Sequence, residues 1–206
     1  MSAPQILIVL PDSPRHWARP DLGGDVTNAA DFDVDLSRYE QGQPLDLPAF
    51  RFEVLNMELD GLDWLVHESM GSLLVVSTEF LDTAQEAFGH ALESMSVTLE
   101  RGGQPFRTRK RYVVLQLGPP RPFFDAERSD AVMRRTFDGR EVIAYVKTYA
   151  LTLPEQVPPL FRLSVSPHAP TFASADFLER ARRNALTNIA WMAAGSPSPT
   201  NQSRPL

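Results

Sequence analysis

Two stretches ninety-seven residues apart constrain the fold more than any other feature of the chain: "VSTEFLDTAQEAF" (Val76–Phe88) and "ASADFLERARRNAL" (Ala173–Leu186). Each follows an apolar, strand-like run and continues as Ser, one residue, an acid, then Phe-Leu. The Ser hydroxyl of each is placed to accept a hydrogen bond from an orphan N–H of a first helical turn. Glu79 and Asp176 then fall at the second helical position, where negative charge favours the helix dipole. Phe80 and Phe177 open the buried face. A catalytic Ser-acid pair needs a neighbouring base, and neither stretch supplies one, so Ser77 and Ser174 are expected to start helices. Five matched positions leave open whether the two stretches descend from one duplicated unit.

The remaining segments sort around these two steps. "QILIVL" (Gln5–Leu10) reads as a strand ended by Pro11, and residues 11–49 as a loop-rich connection with a short helical turn. "FRFEVLNMEL" (Phe50–Leu59) alternates like a half-buried strand. "LLVVS" (Leu73–Ser77), "SVTLE" (Ser96–Glu100), "RYVVLQL" (Arg111–Leu117), "FRLSV" (Phe161–Val165) and "NIAWM" (Asn188–Met192) are further strands. Asp138-Gly139, inside Ala131–Leu151, signals a hairpin. The first helix carries an apolar face of Phe80, Ala84, Ala87, Phe88, Ala91 and Leu92, and the second runs over 175–185. The expected fold is α+β: a mostly antiparallel sheet, two main helices and long loops. Residues 1–194 are expected to form one domain, with a bilobal division near 101–110 as the alternative. Residues 195–206 are expected to be a disordered tail.

Composition narrows the chemistry. The 206 residues contain no cysteine, which removes disulfides, thiolate metal sites and cysteine nucleophiles. The only early apolar run, Ile6–Leu10, has no basic segment before it and is too short to span a bilayer, so a cytoplasmic protein without membrane contact is expected. Eighteen prolines, nearly twice the usual share, agree with the long loops. Charge is uneven: residues 1–70 hold thirteen acids against four arginines, a local net of −9, whereas residues 71–206 carry sixteen bases and thirteen acids. Such asymmetry bears on partners rather than on fold.

No catalytic or cofactor signature emerges, so neither enzyme activity nor a cofactor or metal is expected. "MGSLL" (Met70–Leu74) lacks the second glycine of a nucleophile elbow. His16, His67, His90 and His168 are isolated, outside any spacing that pairs metal ligands on one face. "DFDVDLSRYEQG" (Asp31–Gly42) fails as a calcium loop, with Leu36 where Gly is required and Gly42 where a bidentate Glu is required. The basic run "RTRKRY" (Arg107–Tyr112) leads into an apolar strand of an acidic chain, so nucleic acid is not an expected partner. Trp64, among Glu58, Asp60, Asp63 and Glu68, suits an interface anchor for a basic protein and suits a core residue with an acidic rim equally. The partner-binding candidates are Asp31, Asp33, Asp35, Glu58, Asp60, Asp63, Trp64 and Glu68.

With these segments placed, "RPFFDAERSDAV" (Arg121–Val132) and "PPLFRLSVSPHAPTFASADFLERARRNALTNIAW" (Pro158–Trp191) resemble a family of bacterial immunity proteins from polymorphic toxin systems. The shared features are the Asp125–Ser129 segment, the Phe161-Arg162-Leu163 strand, the Phe172–Ser174 strand before a helix, and the turn Leu186-Thr187-Asn188 into the strand bearing Trp191. Asn188 stands where Gly is commoner, and Asn tolerates the same left-handed backbone. The resemblance covers roughly residues 50–192. It implies a protein that binds and neutralises a cognate secreted toxin, such as a basic nuclease, by occluding its active site. A non-catalytic adaptor or chaperone for a secreted effector is the alternative, and homo-oligomerisation is left open. An acidic surface would speed encounter with a basic toxin.

Overall fold

The two long helices each follow directly on a strand, as the twin steps require. A computed structural model describes residues 6–11, 20–26, 38, 43, 49–66, 73–135, 139, 141–165 and 170–196. In chain order these form β1 (Ile6–Pro11), β2 (Leu22–Val26), β3 (Phe50–Val54), β4 (Trp64–Leu65), β5 (Leu74–Ser77) and helix α1 (Thr78–Phe88). There follow β6 (Ser94–Arg101), β7 (Gln104–Pro105), β8 (Tyr112–Leu115), β9 (Asp130–Arg135) and β10 (Glu141–Thr148). The last elements are β11 (Leu160–Phe161), β12 (Thr171–Ser174), helix α2 (Ala175–Arg183) and β13 (Ile189–Ala193). The fold is α+β, with mostly antiparallel sheets.

Both Ser residues cap as the sequence requires. Ser77 Oγ accepts from Phe80 N at 3.1 Å, and Ser174 Oγ accepts from Phe177 N at 3.3 Å. Each serine has extended backbone, with ψ near 160°, and each is the last residue of a strand. The helices lie in one shared core between two sheets. One sheet runs β2-β3-β6-β8-β5-β4, and the other runs β11-β12-β1-β13. Side chains alternate across each strand, and β5 and β8 in one sheet, like β12 in the other, are covered on both faces, whereas Arg51 and Thr98 leave one face of β3 and β6 exposed. Leu74 and Val76 join the central core with Phe80 and Ala84, while Val75 and Val114 face an outer core with Phe50, Phe52 and Leu59. In the other sheet Leu160 and Ala173 face the helices, and Ile8, Phe161 and Phe172 face a third core with Tyr149 and Leu163. This double burial explains why β1 is apolar throughout rather than alternating.

The two sheets repeat one unit, register for register. In the order β4-β5-β8-β6, Val76 pairs with Trp64, Val75 with Leu65 and Val114, and Val114 with Met95. In the order β11-β12-β1-β13, Ala173 pairs with Leu160, Phe172 with Phe161 and Ile8, and Ile8 with Met192. The ninety-seven-residue offset of the serines therefore continues through the helices (Phe80 to Phe177, Ala84 to Ala181) and into the next strand (Met95 to Met192). Matched residues also meet: the Phe80 and Phe177 rings lie 5.5 Å apart, as expected for halves related by a two-fold axis. One strand breaks the chain order. β8 follows β6 in the first unit, but its counterpart in the second is β1, from the opposite end of the chain.

Element boundaries differ from the sequence reading, most at two strands and one helix. The strand from Phe50 stops at Val54, because Leu55 N and Asn56 N both donate to the Asp21 carbonyl, at 2.9 and 3.2 Å. The strand expected over 161–165 is only Leu160–Phe161 by ladder pairing, and Leu163 makes an isolated bridge to Arg121. The first helix ends at Phe88 rather than continuing through Leu92, because Gly89 adopts φ 72° and donates its N–H back to Gln85. Residues 101–110 lie between β6 and β8, which pair with each other in one sheet. The hairpin expected around Asp138-Gly139 is β9–β10. Most of 11–49, and the tail from 197, lie outside the described residues.

Candidate functional site

Of the charged residues singled out by sequence, Asp63 turns inward. Asp63 sits at the turn before β4 with 1 % of its surface exposed. Its carboxylate accepts from Ser77 Oγ at 2.5 Å, from Thr187 N at 2.7 Å, from Thr187 Oγ1 at 2.9 Å and from Lys110 Nζ. Ser77 therefore works in two directions, accepting from the helix and donating to the acid. Burial alone would raise the Asp63 pKa, but Lys110, then Ser77, then the two Thr187 donors hold it below the usual carboxylate value. Asn188, with φ 50°, completes the junction: its Oδ1 accepts from Asp63 N and Trp64 N, and its Nδ2 donates to Trp64 O at 2.6 Å. The left-handed backbone anticipated for Asn188 is what aims its side chain at β4.

Tyr112 and Asp21 extend this polar seam. The Tyr112 hydroxyl donates to Leu59 O at 2.6 Å, and its pKa is pushed up by burial and then by Asp63, Asp60, Asp21 and Glu79. Asp21, fully buried, accepts from Asn56 Nδ2 at 2.7 Å and from Val66 N at 2.9 Å. Each buried carboxylate thus ties segments distant in sequence, and its donors offset the cost of burying the charge.

The partner-binding candidates divide accordingly. Asp63 and Trp64 are buried, which corrects their assignment to an accessible surface. Asp63 is saturated by internal donors, and the Trp64 ring packs 6.3 Å from Phe80 in the central core. Asp60 is exposed but already engaged: its Oδ1 accepts from Arg109 N at 2.7 Å, and its Oδ2 lies 3.7 Å from the Arg109 guanidinium. The basic run and the acidic segment therefore neutralise one another through Lys110 and Arg109. Glu58 is exposed, with no ion-pair partner among the described residues. Asp31, Asp33, Asp35 and Glu68 lie outside the described residues, as do His16, His67 and His168. His90 is exposed at the end of α1, with Nδ1 2.7 Å from Ala91 O.

What remains accessible is a strip just beyond β3. Leu55 and Met57 are 48 % and 57 % exposed, beside Glu58 and Asp60. The sequence held a partial signal for this: Phe50, Phe52 and Val54 occupy one parity and Leu55 and Met57 the other, but so does Leu59, which is buried, because the strand ends at Val54. Lys110, Thr187 and Asn188, the partners that internalise Asp63 and Trp64, carried no such signal, because Thr187 and Asn188 lie more than 120 residues away. Among the described residues no group of three or more His, Cys, Asp or Glu is placed to hold a metal ion. Among them, too, no helix is long and apolar enough to cross a membrane. Neither a protein-family model nor a curated protein sequence matches the chain.

Proposed function

We propose that this chain is an immunity protein, which binds a cognate secreted toxin in the cytoplasm and blocks it by occlusion, without catalysis. The reading rests on the resemblance of the Arg121–Val132 and Pro158–Trp191 segments to that family and, as its carrying observation, on the exposed strip Leu55–Met57–Glu58. Two large apolar side chains two residues apart, next to the exposed Glu58, suit the edge of a basic partner better than they suit water. Glu58 is free to add steering to that contact, whereas Asp63 is committed internally and adds none.

The test is co-expression with the product of the adjacent open reading frame. Rescue of growth together with co-purification is the expected result. Co-purification without rescue would make the chain an adaptor instead, and the absence of both rescue and co-purification would overturn the proposal. In the purified complex, Met57→Ser with Glu58→Lys is expected to weaken binding about tenfold, with the charge change acting mainly on the association rate. Unchanged kinetics would move the interface off this strip.

A further inference from the structure

Four large apolar residues are exposed among those described, and they fall in two places: Leu55 and Met57 on the strip, and Met133 (51 %) and Tyr145 (44 %) on the β9–β10 hairpin. The hairpin is a separate two-stranded sheet. Its base is anchored, because Ala131 and Val146 pair with each other and both pack on the third core. Ile143, nearer the tip, packs on that core as well, so the face carrying Ala131 and Ile143 is turned to the core and the opposite face is turned away from it. Tyr145 pairs with half-buried Val132, so their side chains share one face, and Arg134, two residues along β9, points the same way. Arg134 is exposed, with no acidic partner among the described residues, whereas the exposed Arg135 stands opposite Glu141 in the ladder. The hairpin thus offers apolar surface beside unpaired positive charge, and the strip offers apolar surface beside an unpaired Glu58.

The two patches lie on opposite sides of the molecule. The strip borders the core outside the seven-stranded sheet, and the hairpin covers the core outside the four-stranded sheet, with both sheets and the helices between. They cannot meet within one chain. We infer that the hairpin of one copy docks on the Leu55–Met57–Glu58 strip of a second copy, giving a head-to-tail contact between identical chains. A heterologous contact of this kind does not close at a dimer; it continues into rings or open rows. The contact does not depend on the toxin reading, although the strip can serve only one partner at a time, so a basic partner would dissociate the assembly.

Sedimentation velocity on the full chain tests this with two variants. Arg134→Ser with Tyr145→Ser disables the hairpin, and Met57→Ser with Glu58→Lys disables the strip. All four side chains are exposed, so both variants are expected to keep the wild-type circular dichroism. The wild-type mass is expected to climb past the dimer with concentration and to fall as salt is raised. Each variant alone is expected to stay monomeric, and an equal mixture to stop at a heterodimer, because only one intact hairpin and one intact strip remain to pair. A wild type monomeric at all concentrations would overturn the inference. So would a variant that still associates alone, or a mixture that stays monomeric.

Discussion

The two strand-to-helix steps share a register and differ in what stands behind the capping serine. At Ser77 the hydroxyl that caps α1 also donates to Asp63, which is held in turn by Lys110 and Thr187. At Ser174 the same cap faces a position where the residue matching Asp63 is Pro159, whose carbonyl accepts from Ser174 N at 2.9 Å. One of the two matching steps is part of a charged junction between the halves, while the other is a cap alone. The donors to Asp63 come from the second unit (Thr187) and from the hairpin connection of the first (Lys110), so the junction fixes the two copies relative to each other. The two steps match in backbone scaffold and differ in their buried polar groups.

The sharpest way to break this contrast is at Asp63. Asp63→Ala leaves Lys110 without its partner in a largely dry site, and is expected to cost about 3–5 kcal/mol in urea unfolding. A loss below about 1 kcal/mol would show that the junction is dispensable. Asp63→Asn adds a pH readout. Because the folded pKa lies below the unfolded value of about 3.9, the carboxylate contributes stability that is present above about pH 4 and is lost as pH falls towards the folded value. Stability measured from pH 7 to pH 3 should therefore fall more steeply in wild type than in Asp63→Asn, and equal slopes would assign acid sensitivity elsewhere.

Next in size come the serines. Ser174→Ala removes a cap and is expected to cost about 1 kcal/mol. Ser77→Ala removes a cap and a hydrogen bond to a buried charge, for about 2–4 kcal/mol. Equal losses in the two variants would show that the Asp63 contact adds nothing to the first step.

The smallest effect concerns the helix exits. α1 leaves through Gly89 at φ 72°, whereas α2 leaves through Ala185, which holds φ 52° despite its Cβ. Nothing lies within 4 Å of a Cβ added at Gly89, so Gly89→Ala carries only the backbone penalty, about 1 kcal/mol. Ala185→Gly should raise stability by up to about 1 kcal/mol, less the entropy that glycine adds to the unfolded chain. Thermal midpoints moving in the same direction for both would contradict the left-handed assignment.

The amino-acid sequence by itself determined what neighbouring residues decide: the two serine caps, the acids in the first helical turns, the helical faces opened by Phe80 and Phe177, the left-handed Asn188 and the Asp138-Gly139 hairpin. Each depends on contacts within a few residues, so side-chain type and spacing suffice to specify it. Sheet order, burial of charge and the extent of the repeat were settled only in three dimensions. β1 fills the place of β8 from the far end of the chain, and no local pattern in Ile6–Pro11 names β12 and β13 as its neighbours. Asp60 and Asp63 stand three residues apart in one acidic segment, yet one is on the surface and the other is 1 % exposed. That difference arises because Thr187 and Asn188, brought in by the second copy of the unit, close over one carboxylate and leave the other in water.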